Sequence, residues 1–149
     1  MKAALFASCR HAGTSVQRRE RRKTMRIAEV SQKYDISADT LRYYERIGLL
    51  PHIRRTSSGV RDYGQADLAR VEFIKCMRSA NVSIEALTEY MQLFERGDET
   101  LTLRKQLLEN QRDVLRDRIA EMEEGLKLLD YKIAHYDDLI VAAERNMQQ

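Results

Sequence analysis

From Met25 onward the apolar positions fall into helical registers. Ile27, Val30 and Tyr34 sit three and four residues apart and predict a short helix that turns at Asp35-Ile36. Ser37 stands where an N-cap belongs and opens a second helix reaching about Ile47, with Gly48 as its stop. Two short helices joined by a tight turn make a helix-turn-helix candidate. Pro51 ends helical structure, and the run Arg54 to Arg61 reads as a hairpin that reverses at Ser58-Gly59. A third helix over about Gln65 to Ser79 carries Leu68, Val71, Ile74 and Met77. Ser83 caps a fourth, with Ile84, Leu87, Met91 and Phe94 along one stripe and Gly97 at its end.

The last third has the strongest period. Leu101, Leu108, Leu115, Met122, Leu129 and Tyr136 recur every seven residues, and Ile119, Leu126, Ile133 and Ile140 form a second row. With a at Ile119 and d at Leu108, this is a coiled-coil seam over about five heptads. One helix from Leu101 to Ile140 would be roughly 60 Å long. No later segment remains to cover its stripe, so the pattern favours a second copy of the chain over a helix folded back on itself. Lys105 and Arg112 occupy two early a positions, where the seam is weak. The e positions are mostly acidic (Glu109, Glu123, Asp130, Asp137) while Arg118 and Lys132 are basic g positions, a charge pattern that by itself favours parallel chains.

Length and composition narrow the classes. A chain of 149 residues with 43% hydrophobic and 33% charged positions, one Pro and no Trp fits a helix-rich soluble domain with an extension. No run of 18 apolar residues exists to span a membrane, and two cysteines cannot make a disulfide framework. The expected location is the cytoplasm. The net charge of +3 conceals an asymmetry: residues 1–63 hold 14 Lys/Arg against 6 Asp/Glu, and residues 64–149 hold 12 against 17. Residues 1–24 contribute 7 of those basic residues against 1 acidic, including Arg18-Arg19-Glu20-Arg21-Arg22-Lys23, and lack an apolar period. They are expected to be a disordered basic extension, either an upstream addition or a nucleic-acid-binding arm.

Chemistry follows from the basic front half. A reading helix needs short polar and guanidinium side chains near its start. Thr40, Arg42 and Tyr43 meet that need, while Leu41 and Ile47 face inward. Arg54, Arg55 and Arg61 around a narrow turn suit a wing that presses on phosphates. Solvated arginines that merely keep the surface hydrated are the competing explanation. An enzyme finds no support: there is no zinc-protease pair and no phosphate-binding glycine loop, and the six glycines are scattered.

Residues 25 to about 100 resemble the MerR family of bacterial transcription regulators. The resemblance rests on Ile27-Ala28-Glu29-Val30, Thr40-Leu41-Arg42-Tyr43-Tyr44-Glu45, Ile47-Gly48-Leu49-Leu50-Pro51, and Arg61-Asp62-Tyr63 followed by Asp67-Leu68. It implies a mainly α fold: a winged helix-turn-helix head over 25–98, then a dimerisation helix and tail over 99–149 forming an antiparallel coiled coil. That orientation overrides the charge pattern. It also implies a homodimer on an inverted-repeat promoter, distorting the spacer so that RNA polymerase sees both promoter elements in register. Thr40, Arg42 and Tyr43 would lie on the reading helix, with Arg54, Arg55, Arg61 and Tyr63 on the wing and its flank. The seam residues Leu108, Leu115, Ile119, Met122, Leu126, Leu129, Ile133, Tyr136 and Ile140 would join the protomers.

No cofactor is implied. Residues 77–149 contain no Cys and a single His, His135, too few soft ligands for metal sensing. The stretch from Phe73 to Leu87 looks like the thiol-dependent, aldehyde- and electrophile-responsive branch of the family, which implies Cys76 as the sensor. Lys75 and Arg78 beside it would favour a thiolate, whereas a position late in its helix opposes one. As a plain packing residue, Cys76 would be a small apolar neighbour of Ile74 and Met77. Two alternatives stay open: the same DNA function gated by a non-covalent small molecule held between the coil and the fourth helix, or a coiled-coil protein-interaction module without an operator.

Overall fold

The computed structural model describes residues 24–148, so the expectations for residues 1–23 lie outside the described residues. Two compact units are resolved, meeting between Leu108 and Glu109.

The first unit opens with a two-residue strand β1 (Met25–Arg26), followed by α1 (Ile27–Tyr34) and α2 (Ala38–Arg46). Glu29 begins α1 by accepting the Arg26 N–H at 2.6 Å. The turn between the helices bends at Asp35, whose φ is 53°, a conformation Asp tolerates through its short polar side chain. Gly48, at φ 76°, stops α2 and turns the chain so that Leu49, Leu50 and Ile53 bury completely or nearly so. Strand β2 (Asp62–Tyr63) pairs antiparallel with β1, Met25 opposite Tyr63 and Arg26 opposite Asp62. On its other side the hairpin is closed by a bridge between Arg55 and Arg61 and by Asp62 N–H to Arg54 O at 2.8 Å. Gly59 (φ 82°) supplies the left-handed residue of the predicted turn.

Helix α3 (Gln65–Ser79) spans the residues that its apolar period predicts. Helix α4 (Ile84–Glu95) is capped by Ser83, whose hydroxyl accepts from Ala86 N–H at 3.1 Å. Val30, Leu41, Tyr63, Val71, Ile74 and Leu87 form the centre of one core drawn from all of these elements.

Helix α5 (Leu101–Ala134) is the long predicted helix, but its first turns belong to the head. Thr100 is buried, its hydroxyl 2.7 Å from both Leu93 O and Gly97 O. Arg104 is buried against the rings of Tyr90 and Phe94, 6.0 and 5.4 Å from their centroids, and Leu107 joins the core. The head therefore extends to Leu108 and does not end at 98, because an arginine and a leucine one turn apart pack inward there.

The second unit carries residues 109–134 of α5. Its seam residues Ile119, Met122, Leu126, Leu129 and Ile133 are exposed, and Leu115 is half-buried. Continuous α-helix stops at Ala134, short of the Ile140 the heptads reach. His135 leaves helical geometry (φ −116°, ψ 35°) with its Nδ1 2.9 Å from Tyr131 O, and a π-type turn (Tyr136–Ile140) precedes α6 (Val141–Met147). A wider turn shifts the heptad phase of the residues that follow it. Among the described residues, no helix is long and apolar enough to cross a membrane.

Candidate nucleic-acid interface

Ser37 holds the start of α2 by accepting Thr40 N–H at 3.0 Å, and the two hydroxyls lie 2.8 Å apart. This satisfies an orphan amide of the first turn and commits much of the Thr40 hydroxyl to the cap. Arg42 and Tyr43 follow on the exposed side. Arg42 pairs with Asp39 at 2.5 Å while its side chain stays 49% exposed. Such an exposed pair contributes little and is exchangeable for another anion. The guanidinium of Arg46 lies 5.5 Å from the Tyr43 ring centroid, placing a second cation on this face. Arg46 is not singled out by the sequence analysis; its spacing of three from Tyr43 was the available signal.

The wing is tied to α2 through Glu45. The Glu45 side chain is 8% exposed and paired to Arg61 Nε at 2.6 Å through Oε2. Its other oxygen accepts Ile53 N–H at 3.3 Å and lies 3.2 Å from His52 Nδ1. A buried carboxylate requires such partners, and Arg61 supplies the charge. Arg61 is thus occupied within the protein: it locks the hairpin onto the helix and does not face outward as a free cation. Glu45 was legible only as part of a motif; a carboxylate four residues after the core residue Leu41 was the sign that it needed a buried partner.

Arg54 and Arg55 remain on the outside. Arg54 pairs with Asp62 at 2.7 Å and is 66% exposed. Arg55 donates to Gly59 O at 3.1 Å across the turn. Hydrogen bonds from the side chains of Arg54 and Thr24 hold the Asp62 carboxyl below its ordinary value of 3.8. That anchoring is present above the ordinary value and is lost as pH falls through the lowered one.

Tyr63 is a correction. Its side chain is fully buried in the core, with the phenol oxygen unpartnered, so it supports the wing from below and presents nothing to a duplex. Alternation along β2 decides this: Asp62 faces out, so Tyr63 faces in. Burial raises its phenol above the ordinary 10.0, with the Glu45 charge adding to the effect. Its folded-state contribution is intact below pH 10 and lost as pH rises through the raised value. Tyr63→Phe is expected to leave duplex affinity unchanged, to raise stability by about 1 kcal/mol and to flatten the alkaline limb of a denaturation series. A weakened duplex complex would restore Tyr63 to the interface.

Cys76 lies near the C-terminal end of α3, half-buried, and is disulfide-bonded in the structure. The neighbouring cations are engaged elsewhere. Lys75 Nζ donates to Tyr34 O at 2.5 Å, and Arg78 Nη1 donates to Val82 O at 2.5 Å. Both donate to backbone carbonyls at chain turns.

A family model described as "MerR HTH family regulatory protein" matches residues 25–93, and one described as "MerR, DNA binding" matches residues 68–140. The chain is similar to the HTH-type transcriptional regulator AdhR of Bacillus subtilis (strain 168), 52% identical over 91 residues, covering 61% of this chain and 65% of that protein. It is also similar to an uncharacterized HTH-type transcriptional regulator of Haemophilus influenzae, 34% identical over 76% of this chain and 84% of that protein. Among solved structures it resembles HiNmlR, a MerR family regulator lacking the sensor domain, bound to promoter DNA. The TM-score there is 0.61 at 33% identity, covering 79% of this chain and 94% of that one.

Proposed function

The chain belongs to the MerR family of DNA-binding transcriptional regulators, and from that membership we propose that it grips an inverted-repeat promoter as a homodimer and bends the spacer DNA in response to thiol-reactive stress. It is a regulator and not an enzyme. The observation that carries the promoter reading is the joint placement of Arg42, Arg46, Arg54 and Arg55, exposed on a helix and hairpin that the Glu45–Arg61 pair locks together. Thr40, Arg42 and Tyr43 read the duplex and Arg54 and Arg55 clamp phosphates, with Arg61 as a positioning residue. Two such heads, joined along the exposed seam of α5, supply the paired clamps that let binding energy deform the DNA between them for RNA polymerase.

Operator binding is expected to fall steeply with salt, each lost phosphate contact lowering the slope of log K against log salt by about 0.9. Arg55→Gln, removing one clamp per protomer, should shallow that slope by about 2 in the dimer, as fluorescence anisotropy over a salt series would read. A complex indifferent to salt would favour the protein-interaction alternative.

The signal is proposed to enter at Cys76. In its reduced form the thiolate adds to an aldehyde carbonyl, the new C–S bond making a hemithioacetal whose oxygen takes the proton. Half-burial on α3 would couple that adduct to the core of the head. Cys76→Ser is expected to keep promoter binding and lose aldehyde-induced transcription; unchanged induction would end this assignment. The second reading, a non-covalent effector, would use an open groove of about 360 Å³ between α2 and α4, lined by Tyr43, Ile47, Ile84, Thr88 and Glu89, and not the place between the coil and the fourth helix that the sequence suggested. Induction that survives Cys76→Ser but is lost in Thr88→Arg would select it.

A further inference from the structure

Two residues of the seam make no sense in a single chain. Helix α5 is continuous over residues 109–134, so its heptad positions keep one phase there. Every a and d position of that stretch is apolar except Arg112, an a position. Its side chain is 54% exposed and pairs with its sequence neighbour Asp113 at 2.9 Å, an exposed contact that yields readily to a better-placed anion. The second residue is Gly125, a g position and the one glycine of α5. A glycine in mid-helix weakens the helix, yet a Cβ here would meet nothing within 4 Å. Its own chain gives no reason for it, and a close approach from outside does.

Orientation decides what these two residues meet. Parallel chains set a opposite a, so Arg112 would face the partner's Arg112, like charge on like charge inside the seam. Antiparallel chains alternate a with d. Over the seam from Leu108 to Ile133, the fullest overlap then sets Ile119 against the partner's Met122 and Arg112 against the partner's Leu129. The e positions share one flank of that seam, which brings the partner's Asp130 beside Arg112. Asp130 is exposed and, among the described residues, has no ion-pair partner in its own chain. The g positions share the other flank, where Arg118 crosses the partner's Gly125.

We propose that Arg112 and the partner's Asp130 form an ion clasp, made twice by two-fold symmetry, which fixes the orientation and register of the dimer. Gly125 is the notch that admits the partner's Arg118. The clasp overrides the e and g charges that favour parallel chains, because charges within the seam are screened less than charges at its rim.

This inference rests on the dimer of the proposed function, and its test separates the two. Sedimentation equilibrium on the full chain gives the dimer Kd of the parent, Arg112→Glu, Asp130→Arg and the double exchange. The two positions are 18 residues apart, about 27 Å along one helix, so coupling between them passes between chains. Each single exchange sets like charges together at both clasps and should raise Kd at least tenfold. The double exchange restores opposite charges and should return Kd to within threefold of the parent. Parallel chains would leave the double exchange as weak as Arg112→Glu, because position 112 still faces its own copy, and that result overturns the clasp. Single exchanges without effect overturn it as well, while leaving the dimer standing. A parent chain that stays monomeric at micromolar concentration removes both. Gly125→Gln should raise helicity by circular dichroism and still raise Kd at least threefold; a tighter dimer would show that no side chain crosses there and would overturn the register.

Discussion

Glu45→Ala is expected to lower stability by about 2–3 kcal/mol and to weaken duplex binding by at least tenfold. Removing one partner of a buried ion pair typically costs about 3–5 kcal/mol; the lower figure applies because the Arg61 side chain keeps 21% exposure and regains some hydration. The Ile53 N–H loses its acceptor at the same time, on a residue with no exposure of its own. Two effects on DNA oppose each other. Deleting a carboxylate adds one positive charge per head and frees Arg61 for a phosphate, which by charge counting strengthens binding. Releasing the hairpin from α2 misplaces Arg54 and Arg55, which weakens it. The geometric effect should win, because clamps that no longer share a frame with the reading helix cannot all engage at once. Glu45→Gln keeps an acceptor for Ile53 and should fall between the two. Denaturant titration and anisotropy on the same preparations check both halves, and tighter binding by Glu45→Ala would show that Arg61 is a DNA contact after all.

How far the sequence revealed this arrangement depended on the range of the forces involved. Local rules placed the helices well: Ser37 and Ser83 cap α2 and α4, Gly48 and Gly97 stop them, and the apolar period of α3 matches its span. Strand β1 left no trace, since two residues show no period and pair with partners 38 and 36 positions away, Met25 opposite Tyr63 and Arg26 opposite Asp62. The same limit hid the fates of Arg61 and Tyr63. Both sit in a stretch that reads as exposed hairpin, and only the fold shows one tied to a buried carboxylate and the other filling the core. Heptads correctly located the long helix and its start at Leu101, but overran its other end and did not show that its first turns pack into the head. Arg104 and Leu107 are drawn into the head by Tyr90 and Phe94, and the His135 ring competes for a carbonyl where the helix ought to have continued.

The largest effect is expected in the seam. Leu126→Glu with Leu129→Glu should convert the protein to a monomer at micromolar concentration in sedimentation equilibrium, raising the dimer Kd by more than 1000-fold. In the single chain these leucines are 59% and 58% exposed, flanked by Met122 at 70% and Ile133 at 68%. A stripe that apolar is stable in water only when something covers it. Burying one leucine side chain contributes about 1.5–3 kcal/mol, and a two-fold assembly loses four of them at once, before any charge repulsion is counted. That far exceeds the roughly 4 kcal/mol that a 1000-fold change in Kd represents. Register supplies the control. Leu128 is equally bare at 56% but occupies a c position, so Leu128→Glu should leave the dimer intact. Operator affinity should follow assembly: without a link, the second head loses the effective concentration that the first provides, and the double variant should bind a full inverted repeat at least 100-fold more weakly while a single half-site shows little change. If Leu128→Glu dissociates the protein as readily as the pair, the contact between protomers does not run along the heptad rows.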